Sequence, residues 1–369
     1  MDNFILPDYE NNSIVNLASS ILNHFNIETP HKPLEIESYF KKRIILILID
    51  GLGYNLFKNK QVDLIHKVIT TTFPSTTSTA ITSLLTAKTP GEHGVLGYIS
   101  YLKELGGLTN ILKYSHPIGG ERDMFKDFLD LKDLVKVESI FAKMRDKGLK
   151  VKLIIPREIS NSALSRLLHE GASSIEYVFH WDGMVALRKE IESDTDFIYA
   201  YFPQIDTLSH VYGSKSQEVM TALEEILNMI NSIANKKSAD TTLIITSDHG
   251  HVDVGKIFKV LEDKELMDVL TSPPFGDSRA VFLKSKKDLK EIFERKYQNF
   301  EIFSREEILK MKLLGNFKEE YIDRLGDYIA IPKDNSIMIY PFKKDSLNML
   351  KSQHGGLLED EMLIPLIIF

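Results

Sequence analysis

Six side chains stand out as a set: Asp50, Asp206, His210, Asp248, His249 and His354. Carboxylate oxygen and neutral imidazole nitrogen together make a donor set that zinc accepts, usually with four ligands and sometimes with one position left open. Magnesium and calcium would call for mostly oxygen. Three histidines therefore point to zinc, with manganese as the imidazole-tolerant alternative. Three aspartates would balance much of the charge on two divalent ions. Two such ions about 4 Å apart can clamp the attacking and leaving oxygens of a phosphoryl displacement. Singly these residues say little. Asp50-Gly51 alone reads as a turn, and Asp206-Thr207-Leu208-Ser209-His210 alone is a pair that surface helices carry by chance.

A nucleophile is available in the hydroxyl-rich run from Thr70 to Thr79, which leads into the helical pattern Ala80–Thr86. A helix N-terminus offers free N–H groups and a positive dipole end, both suited to a phosphate. A hydroxyl placed there and bound to a metal can act as an alkoxide. The plainer reading of Ser75, Thr76 or Thr77 is a helix N-cap.

The elements that must carry these residues are short, continuous apolar runs: Arg43–Ile49, Val151–Ile155, Asp196–Phe202 and Thr242–Ile245. Such runs read as buried parallel strands. Helical patterns lie between them, the clearest over Ser216–Lys236 with Val219, Leu223, Ile226, Ile230 and Ile233 on one face. The expected fold is α/β, a mostly parallel central sheet sandwiched by helices, with a smaller inserted α+β subdomain. Asp50, Asp206, Asp248 and His249 each follow a strand run, and His354 precedes the last one, Leu363–Phe369. Ligands of open α/β sheets bind beyond the carboxyl ends of the strands. Four such segments on one sheet edge are hard to explain as turns. A texture change at Pro273-Pro274 sets the expected organisation: a metal-dependent core over 1–270 and 346–369, and a small cap over 271–345. Tyr98–Asp130 shows little periodicity and reads as a surface or lid region.

Composition narrows the function. The 369 residues carry a net charge of −7, which argues against binding polymeric nucleic acid. The chain has no cysteine, which excludes disulfides, thiolate metal sites and a cysteine nucleophile. The first 13 residues lack the basic start and apolar stretch of a secretory signal. The longest apolar run is too short to cross a bilayer. A cytoplasmic location without membrane partners is the expectation.

Taken in order, the motifs resemble the alkaline phosphatase superfamily, most closely its type I phosphodiesterase/nucleotide pyrophosphatase branch. The resemblance rests on Ile47-Leu48-Ile49-Asp50-Gly51, Phe73-Pro74-Ser75-Thr76-Thr77, Pro90-Gly91-Glu92-His93-Gly94, Asp206 through His210, Ser247-Asp248-His249-Gly250 and His354-Gly355. It implies two zinc sites, one of Asp206, His210 and His354, the other of Asp50, Asp248, His249 and the nucleophile. Sixteen residues before His93 lies Thr77 (93 − 16 = 77), the family's distance to its nucleophilic threonine. A register slip would pass the role to Thr76. His93 itself reads as structural.

Two positions depart from the eukaryotic-type enzymes. Tyr98 stands where they have an asparagine that donates to a phosphoryl oxygen, a task a tyrosine hydroxyl could also perform. Ser78 stands where they have an aromatic residue. The implied activity is a phosphodiesterase or nucleotide pyrophosphatase working through a phosphothreonine on a small phosphorylated substrate, with a nucleotide one candidate. The alternative on the same site is a phosphomonoesterase or a phosphonoacetate-type C–P hydrolase. Monoesters carry one more negative charge, and Arg279 is the one cation that could reach in to meet it. A non-catalytic binding protein would need a damaged site, and all seven expected positions are filled.

Overall fold

From Ile44 on, the run Arg43–Ile49 carries no polar side chain, and every residue of it is buried, as expected for a strand covered on both faces. In this computed structural model, which describes residues 3–57, 66–342 and 350–369, it lies at the centre of a seven-stranded sheet. The order is Lys67–Thr70, Leu363–Ile368, Thr241–Thr246, Arg43–Ile49, Phe197–Phe202, Val151–Pro156, Ser173–Tyr177. The five strands from Thr241–Thr246 to Ser173–Tyr177 are mutually parallel. Leu363–Ile368 runs antiparallel to both of its neighbours.

Strand alternation sends Ile44, Leu46 and Leu48 to one face and Ile45, Ile47 and Ile49 to the other. The first set packs with Ile14 and Ile21 of the helix Ile14–His24. The second packs with Leu223, Ile226, Ile230 and Ile233 of Gln217–Ala234. That helix buries the face read from the sequence, and Ser216 caps it by accepting from the Val219 N–H at 3.3 Å. Register brings the strand ends level: Ile49 pairs with Phe202 and Leu48 with Thr246. Asp50, Pro203 and Ser247 therefore leave the sheet at one edge.

A second sheet of six strands stands beside the first, in the order Phe300–Ser304, Tyr328–Pro332, Ala280–Leu283, Phe275–Asp277, Ile99–Leu102, Gly107–Asn110. Two of its strands come from the stretch that read as a surface or lid region. Each is only four residues long, below the length at which period two becomes legible in a sequence. In the tight hairpin joining Phe275–Asp277 to Ala280–Leu283, Asp277 pairs with Ala280. Gly276 sits at φ +87°, and a Cβ there would meet the Ala280 carbonyl oxygen at 2.4 Å. The expected boundary at 345–346 lies outside the described residues.

Arg279 lies two positions after Asp277 in this hairpin. It is fully buried, its Nε donating to Glu361 at 2.6 Å and its terminal nitrogens to the Ser336 and Asp334 carbonyls. With its guanidinium committed in this way, it is not the cation expected to meet a monoester.

Candidate active site

The helix Gln204–Tyr212 starts two residues after its strand, so Asp206 and His210, one turn apart, share a face. His354 arrives from a loop 144 positions beyond His210 (354 − 210). Its Nε2 nevertheless lies 3.7 Å from Asp206 Oδ1, and the His210 Nε2 lies 3.2 Å from the same oxygen. The second group is fully buried. His249 Nε2 lies 3.4 Å from Asp50 Oδ1 and 3.5 Å from Asp248 Oδ2. The two groups adjoin, for the His249 and His354 rings stack with centroids 3.8 Å apart.

Backbone contacts fix the tautomers. The Nδ1 of His210, His249 and His354 faces the carbonyl oxygens of Ser352 (2.9 Å), Gly250 (3.1 Å) and Ser75 (3.1 Å). A carbonyl only accepts, so each Nδ1 holds a proton; the Nε2 of His249 and His354 is left to present a lone pair to the centre, whereas the His210 Nε2 donates to Asp206 Oδ1. The carboxylates are prepared in a similar way. Asp248 Oδ1 accepts from the N–H groups of Gly51 and His249, and Asp50 Oδ2 accepts from the Tyr201 hydroxyl. That leaves Asp50 Oδ1 and Asp248 Oδ2 buried without a hydrogen-bond partner. Bare carboxylate oxygens in the interior are costly unless a cation meets them. Together with the His249 Nε2 they lie within 4.8 Å of one another, as do the donors of Asp206, His210 and His354. Both groups fit a metal ion by donor type and convergence.

The charges follow. Burial, reinforced by Asp248 and Asp206, pushes the Asp50 carboxyl well above its usual range. Burial acts to raise Asp206 too, but hydrogen bonds from His210 and His251 outweigh it and hold that carboxyl well below its usual range. Burial and the neighbouring imidazoles keep His354 neutral, its pKa well below the usual value.

The helix Thr77–Thr86 aims its N-terminus at this site. Thr76 is its N-cap residue and is 2% exposed. Its hydroxyl donates to Asp277 Oδ1 at 3.2 Å. The Thr77 hydroxyl instead lies 3.1 Å from His249 Nε2, and Thr77 is only partly buried. It opens on a cavity of about 550 Å³ that Tyr98, Asp206, His210 and His354 also line. His93 lies away from this cavity. Its Nδ1 accepts from the Val95 N–H and its Nε2 meets Ser83 Oγ, while burial lowers its pKa to about 3.

A family model described as type I phosphodiesterase / nucleotide pyrophosphatase matches residues 44–357. The chain belongs to that family. This family member is accordingly an enzyme, a hydrolase acting on phosphoester bonds, and lies within the alkaline phosphatase superfamily. Its fold is similar to that of murine ectonucleotide pyrophosphatase / phosphodiesterase 5, with a TM-score of 0.65 and 14% identity over 88% of this chain and 87% of that one. An inactive form of the same murine protein, in complex with AMP, gives a TM-score of 0.64 at 14% identity, over 88% and 87%. Phosphonoacetate hydrolase from Sinorhizobium meliloti 1021, in complex with phosphonoacetate, gives 0.62 at 16% identity, over 89% and 90%. No curated protein sequence matches the chain. No helix among the described residues is long and apolar enough to cross a membrane.

Three residues of the family member's site escaped the sequence reading. His251 donates from Nε2 to Asp206 Oδ1 at 3.0 Å, and its Nδ1 meets the Ser352 hydroxyl at 3.0 Å. It orients the aspartate, although Asp206, His249 and His251 also form a third convergent donor group. Tyr201 fixes Asp50 from inside a strand, where its ring looks like core. Asp277 enters from the second sheet.

Proposed function

We propose that this enzyme hydrolyses phosphodiester or phosphoanhydride bonds by two successive in-line displacements with Thr77 as the nucleophile. The observation that carries this reading is the Thr77 hydroxyl, partly exposed to the cavity and 3.1 Å from His249 Nε2 at a helix N-terminus. In the first step the Thr77 Oγ1 bonds to phosphorus as the bond to the leaving oxygen breaks, and the proton that Thr77 gives up ends, through solvent, on the departing oxygen. In the second, water attacks the phosphothreonine, the phosphorus–Oγ1 bond breaks, and Thr77 regains a proton. Two inversions leave the configuration at phosphorus retained. Free N–H groups in the first turn of Thr77–Thr86 would stabilise the charge that builds on the phosphoryl oxygens. Tyr98, at the cavity wall, is the side-chain donor of this reading.

Asp50, Asp248, His249 and Thr77 would hold one divalent ion, and Asp206, His210 and His354 the other. Zinc is our assignment, with manganese the alternative. When bound, such ions neutralise the carboxylates and make coordinated hydroxyls and water more acidic. The likeness to a protein in complex with AMP supports a small phosphorylated substrate, with a nucleotide among the candidates.

A second reading, a C–P hydrolase, draws on the likeness to phosphonoacetate hydrolase. Turnover of bis-nitrophenyl phosphate, a nucleotide nitrophenyl ester, nitrophenyl phosphate and phosphonoacetate, with zinc or manganese added, separates the two. The Thr77→Ala variant should lose several orders of magnitude in turnover, and Thr77→Ser should keep part of it. The melting temperature should hardly move, because even a full cap loss costs only about 1 kcal/mol. Loss of turnover in Thr76→Ala but not in Thr77→Ala would shift the assignment by one residue.

A further inference from the structure

The wall of the cavity beside Thr77 carries a negative charge with no cationic partner. Asp277 Oδ1 accepts from the Thr76 hydroxyl and Oδ2 from the Tyr98 N–H, each at 3.2 Å. No lysine or arginine pairs with it among the described residues. Arg279, two positions on, is committed to Glu361. Close packing pins the carboxylate in place. A Cβ on Gly97 would lie 2.8 Å from Asp277 Oδ2, and one on Gly355 2.9 Å from Asp277 Cβ. The backbone at Gly97 and Gly355 thus lies close against Asp277, and its two hydrogen bonds hold it beside the neighbour of the nucleophile. It lines the same cavity as Thr77 and Tyr98 and is partly exposed there. Withdrawal from bulk water pushes its carboxyl up to about 6, so it is ionised above neutral pH. Lys113 also lines the cavity, but among the described residues it forms no ion pair with Asp277.

We propose that Asp277 is a specificity-determining residue that selects monoanionic phosphoryl centres, as in diesters and ester-substituted anhydrides, over the dianionic phosphoryl group of monoesters. This rests on the reading of Thr77 as the point of phosphoryl attachment. A fixed carboxylate repels a dianion about twice as strongly as a monoanion at the same place. It also disfavours phosphonoacetate, which bears a dianionic phosphonate and a carboxylate, and so weighs against the second reading above.

The test measures binding and needs no turnover. Phenylphosphonate and its monomethyl ester share ring and phosphorus and differ by one charge at pH 8. Their affinities for the zinc-loaded protein are measured by titration calorimetry, for the wild type and for Asp277→Asn. The wild type should bind the monoester at least as tightly as the dianion. Asp277→Asn keeps an acceptor for the Tyr98 N–H and should move the preference about tenfold toward the dianion. If that variant does not fold, Asp277→Ala makes the same comparison. A merely structural role would weaken both ligands together and leave their ratio unchanged, which overturns the inference. So does a wild type that prefers the dianion tenfold or more. Either result leaves the Thr77 assignment standing. Failure of both ligands to bind would overturn the inference and the phosphoryl-site reading together.

Discussion

In the Asp50–Asp248–His249 cluster two buried carboxylate oxygens have no hydrogen-bond partner. In the Asp206–His210–His354 cluster one carboxylate oxygen faces three imidazoles, those of His210, His251 and His354. The first cluster is therefore uncompensated within the protein. The second is largely compensated by hydrogen bonds from His210 and His251. The Asp50 and Asp206 carboxyls accordingly move in opposite directions. Similar donor types a few ångströms apart thus impose different demands. One pocket carries an electrostatic cost that a cation would offset, and the other is a preorganised seat that holds its shape without one.

The largest effects should come from turnover of the zinc-loaded enzyme. Asp248→Asn takes a charge from the uncompensated cluster and, if that cluster holds an ion as proposed, should lower turnover of bis-nitrophenyl phosphate by about three orders of magnitude. His251→Gln removes the ring that bonds Asp206 and Ser352 and should cost about 10- to 100-fold in metal affinity or activity. Equal losses in steady-state assays would erase the distinction between ligand and orienter.

Stability without metal sharpens the comparison further, because the two clusters should respond with opposite signs. In chelated protein, Asp50→Asn removes a carboxyl whose ionisation burial and Asp248 oppose, and at a pH where that carboxyl is ionised it should raise stability by about 1–2 kcal/mol. Asp206→Asn breaks the bonds to His210 and His251 and should lower it by about 1–3 kcal/mol. Urea titrations of both variants against the wild type check the signs. A loss in both would show that the first cluster is also compensated within the protein.

The smallest effect calibrates acid titrations away from the site. Burial works against ionised Glu92, but bonds from His31 (2.7 Å) and from the Thr89 N–H (2.7 Å) hold its carboxyl at about 2. Its folded value lies below its ordinary 4.5, so the stability it confers is complete above pH 4.5 and disappears as the pH falls toward 2. The loss should be about 1 kcal/mol after solvent screening. It should be the same with and without metal, and absent in Glu92→Gln. Thermal melts across this range check it. Acid loss beyond this that depends on metal belongs to the two clusters.

Much of this arrangement could be read from residue order. Asp50, Asp206, Asp248 and His249 were visible because each follows an apolar run that can only be a buried strand. Parallel register then delivers the ends of those runs to one edge. His354 was visible because it precedes the last apolar run, and motif order then tied it to the others, since its own loop carries no periodic signal. What stayed hidden depends on contacts between distant segments. Tyr201 sits inside the run Phe197–Phe202, and nothing local separates its hydroxyl from a core ring. His251 lies two residues past His249, yet its role exists only through Asp206, 45 positions earlier. Arg279 looked available because it follows a turn, and the turn buries it against Glu361, 82 positions later. Asp277 needed the second sheet to bring its hairpin to Thr76, and that sheet includes two strands too short to show a period.

The central claim is covalent attachment of the phosphoryl group to Thr77. Acid quench of zinc-loaded enzyme during turnover of bis-nitrophenyl phosphate, followed by proteolysis and mass spectrometry of the peptide spanning Thr70 to Lys88, tests it directly. The account expects a phosphoryl adduct on Thr77, absent from Thr77→Ala. An adduct on Thr76 or on a histidine, or steady turnover in Thr77→Ala, would contradict it.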